Sequence, residues 1–185
     1  IGRAVVARLR ERRWRVYGTD IALAAIPCGE PDFIAANMDV TDEIAVRQAV
    51  ADCCEKFGSI DPVVHLAGRA RRGTIDVVST DEWRSVLEVN LTSAFLLARE
   101  THAALRESRG TLVLMSSTNA LNGGSALSGP AYAVAKAGIV NLTRYLAKEW
   151  AGDGIRVNCI APGPIDTPML RRLSAEEQRR LAASV

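Results

Sequence analysis

Tyr132 and Lys136 stand four residues apart, at the end of a segment that reads M-S-S-T-N-A-L-N-G-G-S-A-L-S-G-P-A-Y-A-V-A-K from Met115. On a helix, that spacing places the phenol and the ammonium on one face. Forming a tyrosine phenolate at neutral pH costs about 4 kcal/mol, because the ordinary pKa is near 10. An ammonium about 5 Å away offsets roughly 3 kcal/mol of this at an effective dielectric near 20. The pair can therefore serve as a general acid or base. Ser116 or Ser117, ending an apolar run before a Gly-rich loop, offers a hydroxyl that can hydrogen-bond a substrate oxygen where negative charge grows during carbonyl reduction. A Tyr-x-x-x-Lys pair also occurs on many helices as an aromatic beside a solvated lysine, so its weight depends on the elements that position it.

Those elements alternate. Residues 1–13 read as a helix with Val5, Val6 and Leu9 on one face; 15–20 and 33–40 read as short strands, each bringing an aspartate (Asp20, Asp39) to its end. Thr41 or Asp42 caps a helix that carries Val46, Ala49, Val50, Cys53 and Phe57 on one stripe and stops at Gly58. Residues 62–66 form a buried strand closed by Ala67 and Gly68. Ser79 and Glu82 have capping-box spacing before a long helix over 81–106. A strand at 111–115, a helix at 131–151 and a strand at 155–160 complete the series, and Arg171, Arg172, Arg179 and Arg180 are expected on the solvated face of a last helix. Strands that alternate with helices and lack hairpin turns imply a parallel sheet covered on both faces. Ligands of such sheets bind at the carboxyl ends of the strands, where Asp20, Asp39, Gly68, Ser117, Pro162 and Gly163 all fall.

The chain has 185 residues, 48% of them hydrophobic and 24% charged, which suits one globular domain over 1–185. A net charge of +2 with scattered arginines argues against nucleic acid or an anionic membrane as partner and for a small molecule. Cys28, Cys53, Cys54 and Cys159 show no metal-ligand spacing, so no metal is expected and the thiols are read as reduced and packed. With no run long enough to span a bilayer and no signal peptide, a cytoplasmic protein is expected.

The ordered series I-G-R-A, D-I, D-V-T-D, H-L-A-G, V-N-L-T-S-A-F, S-S, Y-A-V-A-K-A-G and R-V-N-C-I-A-P-G-P-I-D-T-P resembles the short-chain dehydrogenase/reductase family over nearly the whole chain. The resemblance implies a Rossmann-like, doubly wound parallel sheet in three α/β/α layers. It implies Tyr132 as catalytic acid/base and Lys136 as its pKa depressant and a donor to the nicotinamide ribose. Ser117 would orient the substrate oxygen, and Asn90 would hold a water behind Lys136. For the cofactor it implies Ile1 and Gly2 at the end of the phosphate motif, Asp20 on the adenosine ribose, Asp39 and Val40 on the adenine, and Ala67 and Gly68 where the backbone comes close. Pro162, Gly163, Ile165 and Thr167 would hold the carboxamide and pyrophosphate end. Asp20 points to NAD(H) rather than NADP(H), because a carboxylate repels a 2′-phosphate. Family subunits pair through the two long helices, so a homodimer or homotetramer is implied. His65 stands where the family usually has asparagine and is read as a structural histidine, and His102 is likewise given no catalytic role.

Ile1-Gly2 matches only the end of the family's T-G-x-x-x-G-I-G motif, so the first strand is expected to be missing, together with the last helix and strand, and the domain to be incomplete. A chain of that description is expected to be unstable or to aggregate by itself, not to bind dinucleotide tightly and to be inactive. The leading functional expectation is an NAD(H)-dependent oxidoreductase that interconverts a secondary alcohol and a ketone. The alternatives are an NADPH-dependent 3-oxoacyl thioester reductase and a non-catalytic relative.

Overall fold

The computed structural model describes residues 1–22 and 32–183; Cys28 lies outside them. The first apolar runs form β1 (Val16–Asp20) and β2 (Phe33–Asn37), parallel and in register from Val16 opposite Phe33 to Asp20 opposite Asn37. The next three form β3 (Val63–His65), β4 (Thr111–Met115) and β5 (Arg156–Ile160), also parallel, with β4 in the middle. The single expected sheet is thus two hydrogen-bonded sheets among the described residues, β1 with β2 and β3 with β4 and β5.

The helices follow their caps. After α1 (Gly2–Glu11), Asp42 rather than Thr41 opens α2 (Glu43–Phe57) by accepting from Ile44 N and Ala45 N, and Gly58, at a φ of 78°, closes it. Ser79 and Glu82 form the expected capping box of α3 (Thr80–Leu87). The helix expected over 81–106 is one rod with a fault in it, because a π turn (Glu88–Thr92) joins α3 to α4 (Ser93–Ser108). One turn, α5 (Asn119–Asn122), precedes α6 (Pro130–Glu149), which starts on a proline that has no amide to lose at that position. A 3₁₀ turn (Leu170–Arg172) and α7 (Ala175–Ala182) end the described chain, so the four C-terminal arginines lie on two short elements instead of one helix.

The core lies where α4 and α6 cover the three-stranded sheet. Leu105 of α4, Leu112 and Leu114 of β4, and Ile139 of α6 are fully buried there, with Ala94, Ala98, Leu146 and Trp150 around them. Truncating one of these leucines to alanine is worth about 2 to 5 kcal/mol, and the packing fixes α6 against β4. His102 stacks on Trp150 and bonds Asp153 at 2.9 Å, a structural role. Among the described residues no helix is long and apolar enough to cross a membrane, and no group of three or more His, Cys, Asp or Glu is placed to hold a metal ion.

Candidate active site

β4 runs out at Met115, and Ser116 N still pairs with Ile160 O of β5 at 2.8 Å, so the two serines begin at the carboxyl end of the sheet. Two hydrogen bonds then fasten this end to α6. Lys136 Nζ donates to Met115 O at 2.8 Å, and Ser116 Oγ donates to Lys136 O at 2.8 Å. Ser116 is thereby committed to backbone. Ser117 Oγ accepts from Asn119 N at 3.2 Å, which leaves its own proton to give, and it stands beside the Tyr132 phenol.

The electrostatics differ from the sequence expectation. Burial raises the Tyr132 pKa, and the Ser117 hydroxyl works in the opposite direction. The Lys136 ammonium is bonded to Met115 O and lies over the Tyr132 ring, 5.5 Å from the centroid. The lysine itself is only 2% exposed, and burial brings its pKa down to about 8. The phenol in this arrangement is a proton donor at neutral pH.

Asn90 sits in the π turn, 0% exposed. Its Nδ2 donates to Arg69 O at 2.7 Å and Val86 O at 2.8 Å, while its buried Oδ1 accepts nothing. A π turn inside a helix often marks a functional position. A Cβ at Gly68 would lie 2.9 Å from that Oδ1 and 3.6 Å from Lys136 Nζ, so glycine is what lets the strand end pass this close to both. His65 lies one strand over, with Nε2 2.8 Å from Ser93 Oγ. Ser93 spends its proton on Val89 O at 2.7 Å, which assigns the imidazole proton to Nε2. Burial, then the charge of Lys136, lowers the His65 pKa to about 4, so the ring is neutral.

The residues expected to hold a dinucleotide occupy both sheets' carboxyl ends. Asp20 ends β1, exposed, and accepts from Ala22 N at 3.0 Å; Met38 N donates to Asp20 O at 3.0 Å and brings Asp39 and Val40 beside it. Asp39 is turned inward to Thr41, accepting from its amide at 2.9 Å and its hydroxyl at 2.8 Å, and these bonds lower its pKa. Ile1 O accepts from Ala4 N and Val5 N of α1, and a Cβ at Gly2 would lie 3.8 Å from Leu66, so α1 begins beside the end of β3 and Ala67. Thr118 N bonds Pro162 O at 3.0 Å, bringing Pro162 and Gly163 alongside the Ser117 segment. Thr167 accepts from Leu170 N and Arg171 N in the turn beyond, and Ile165 is exposed. An exposed carboxylate at a strand end, a buried unbonded acceptor and a glycine over a lysine fit an elongated polar ligand with ribose hydroxyls.

Sequence reasoning passed over R-A-R-R after Gly68. Arg71 bonds Glu82 at 2.6 Å and Arg72 bonds Glu177. The second partner had a visible signal, since Ser174-x-x-Glu177 repeats the capping-box spacing of Ser79-x-x-Glu82.

Comparison with known proteins gives a family match along the chain. A family model described as Enoyl-(Acyl carrier protein) reductase matches residues 1–184. The 3-oxoacyl-[acyl-carrier-protein] reductase FabG of Escherichia coli K12 is 33% identical over 193 aligned positions, covering 100% of this chain and 77% of that protein. The (2S)-[(R)-hydroxy(phenyl)methyl]succinyl-CoA dehydrogenase subunit BbsD of Thauera aromatica is 32% identical over 188, covering 98% and 75%. A crystal structure from Burkholderia xenovorans, described as a short-chain dehydrogenase/reductase, superposes with a TM-score of 0.89 at 30% identity over 100% of this chain and 74% of that one. The chain belongs to the short-chain dehydrogenase/reductase family of oxidoreductases, which act on CH–OH or ketone substrates.

Proposed function

We propose that the chain interconverts a secondary alcohol and a ketone at a site made of Ser117, Tyr132, Lys136 and Asn90. The observation that carries this reading is the convergence of the Ser117 hydroxyl and the Tyr132 phenol beside a buried Lys136. In the reductive direction Tyr132 gives its proton to the substrate oxygen while Ser117 hydrogen-bonds that oxygen as negative charge grows on it. Lys136 retains N–H donors beyond the one given to Met115. Asn90 Oδ1 accepts from a water that reaches Lys136 and returns a proton toward Tyr132. In oxidation the same groups run backward, with Tyr132 as base.

A nicotinamide dinucleotide supplies the hydride in reduction and takes it in oxidation. Ile1, Gly2, Asp20, Asp39, Val40, Ala67, Gly68, Tyr132, Lys136, Pro162, Gly163, Ile165 and Thr167 are the residues that would hold it. NAD(H) is the preferred form, because the exposed Asp20 carboxylate can receive two ribose hydroxyls and repels a 2′-phosphate. A second reading, NADPH-dependent reduction of a 3-oxoacyl thioester, is favoured by the relatives of that name at 32 to 33% identity. Initial rates with NADH and NADPH on an acetoacetyl thioester and on a simple methyl ketone separate the two. Turnover by the chain would overturn the expectation that it is inactive by itself, and turnover on neither substrate, in either direction, would contradict both readings.

The same reading includes a cytoplasmic setting and self-association through the outer faces of α4 and α6, where Phe95, Val134 and Tyr145 are 47%, 50% and 61% exposed. Light scattering that gives a monomer at micromolar concentration would contradict the association.

A further inference from the structure

Two consecutive arginines after β3 each hold a glutamate that is already closing a helix cap. Glu82 accepts from Ser79 N through Oε2 at 3.3 Å, and its Oε1 takes Arg71. Glu177 accepts from Ser174 N through Oε2 at 2.8 Å, and its Oε1 takes Arg72. One carboxylate thus caps a helix with one oxygen and ties that helix to the loop with the other, at α3 and again at α7.

The loop that carries both arginines is itself held in the active site. Arg69 O accepts from Asn90, and Gly73 N donates to Ala126 O at 2.9 Å. Gly129 passes so close that a Cβ there would lie 2.1 Å from Arg71 O. Gly129 is the N-cap of α6, three residues before Tyr132. On its other side the connection reaches α7, a helix of eight residues none of which is fully buried. β4 lies between β3 and β5, so the loop after β3 and the chain after β5 leave the sheet on either side of the carboxyl end of β4, where Ser117 stands.

We infer that Arg72 is a positioning residue that straps α7 across the carboxyl end of β4 through Glu177 and so shapes the substrate side of the site, while Arg71 anchors the same loop to α3. The consequence for turnover rests on the oxidoreductase reading; the strap does not. Exposed ion pairs are usually weak because two long side chains must be ordered to make them. Here much of that ordering is done beforehand, since Glu177 is fixed by its cap and the Arg72 loop by Asn90, Ala126 and Gly129.

The experiment compares Arg72→Gln, Arg72→Lys, Glu177→Gln and the Arg72→Gln/Glu177→Gln pair with the parent chain. Glutamine at 177 keeps the capping box and removes only the charge. Amide exchange over 175–182 is followed by mass spectrometry, and KM and kcat are measured with an acetoacetyl thioester and NADH or NADPH. Each single glutamine variant is expected to speed exchange of α7 and to raise substrate KM by up to about five-fold, the range of an exposed pair, with kcat and dinucleotide affinity retained. The double variant is expected to match the singles, and Arg72→Lys to restore part of the effect. Unchanged exchange in Arg72→Gln, single effects that multiply in the double variant, or a kcat that falls in step with a rising KM would each overturn the inference. A parent chain without turnover would count against the oxidoreductase reading, and the exchange data would still decide the strap.

Discussion

Ser116 Oγ donates to the backbone carbonyl of Lys136 at 2.8 Å, so the first of the two adjacent serines is occupied in holding α6 against β4. The second is left for the phenol. Ser117→Ala is expected to lower kcat by roughly 10²-fold, the scale of a lost donor to a developing oxyanion, with the melting midpoint little changed. Ser116→Ala removes a buried hydrogen bond to a carbonyl that keeps its partner within α6 and is expected to cost about 0.5 to 1.5 kcal/mol of stability, with a smaller effect on the rate of the folded fraction. Paired denaturant melts and initial rates check this. The reverse pattern would exchange the two roles.

Burial holds His65 neutral, with its pKa lowered to about 4, against about 6.5 in an unfolded chain. Between those values the unfolded state binds the extra proton. Stability from this group is therefore complete above pH 6.5 and is lost as the pH falls from 6.5 toward 4, by on the order of 3 kcal/mol. Lys136, whose charge adds to the depression, remains protonated across that window. Urea melts from pH 7.5 to 4 are expected to show this slope in the parent and a flatter one in His65→Asn. An equal slope in both would exclude His65 as its source.

Asp20 closes β1 with an exposed carboxylate. Replacing it with serine is expected to shift the ratio of kcat/KM for NADH over NADPH by at least ten-fold toward NADPH, since removing the charge relieves repulsion of a 2′-phosphate. Steady-state kinetics with both dinucleotides measure it. An unaltered ratio would mean that cofactor choice is made elsewhere.

The strands and helices were legible because each carries its own periodicity and cap, from Asp42 and Gly58 around α2 to Ser79 and Glu82 at α3. The proximity of Tyr132 and Lys136 was legible because it needs only one helical turn. What could not be read depends on groups that meet through the fold. The π turn at Asn90 has no side-chain signature, and it sets where the amide points. The direction of the Lys136 ammonium, toward Met115 O and the face of the Tyr132 ring, is decided by how α6 seats on β4. Burial of the Tyr132 phenol, which raises its pKa, is likewise set by that packing. Arg72 and Glu177 lie 105 positions apart, so only the topology brings them together. A missing first strand was expected from the truncated glycine motif, but the separation into two hydrogen-bonded sheets was not, and helix over 171–180 was read as one element and is two.

Proton transfer by Tyr132 is the central claim, and Tyr132→Phe tests it most directly. The substitution keeps the ring that packs over Lys136 and removes only the hydroxyl. The expected result is a kcat reduced by about 10²- to 10⁴-fold, with dinucleotide affinity by fluorescence titration within about two-fold of the parent, since aromatic packing is retained. A phenylalanine variant that turns over at the parental rate would contradict the account.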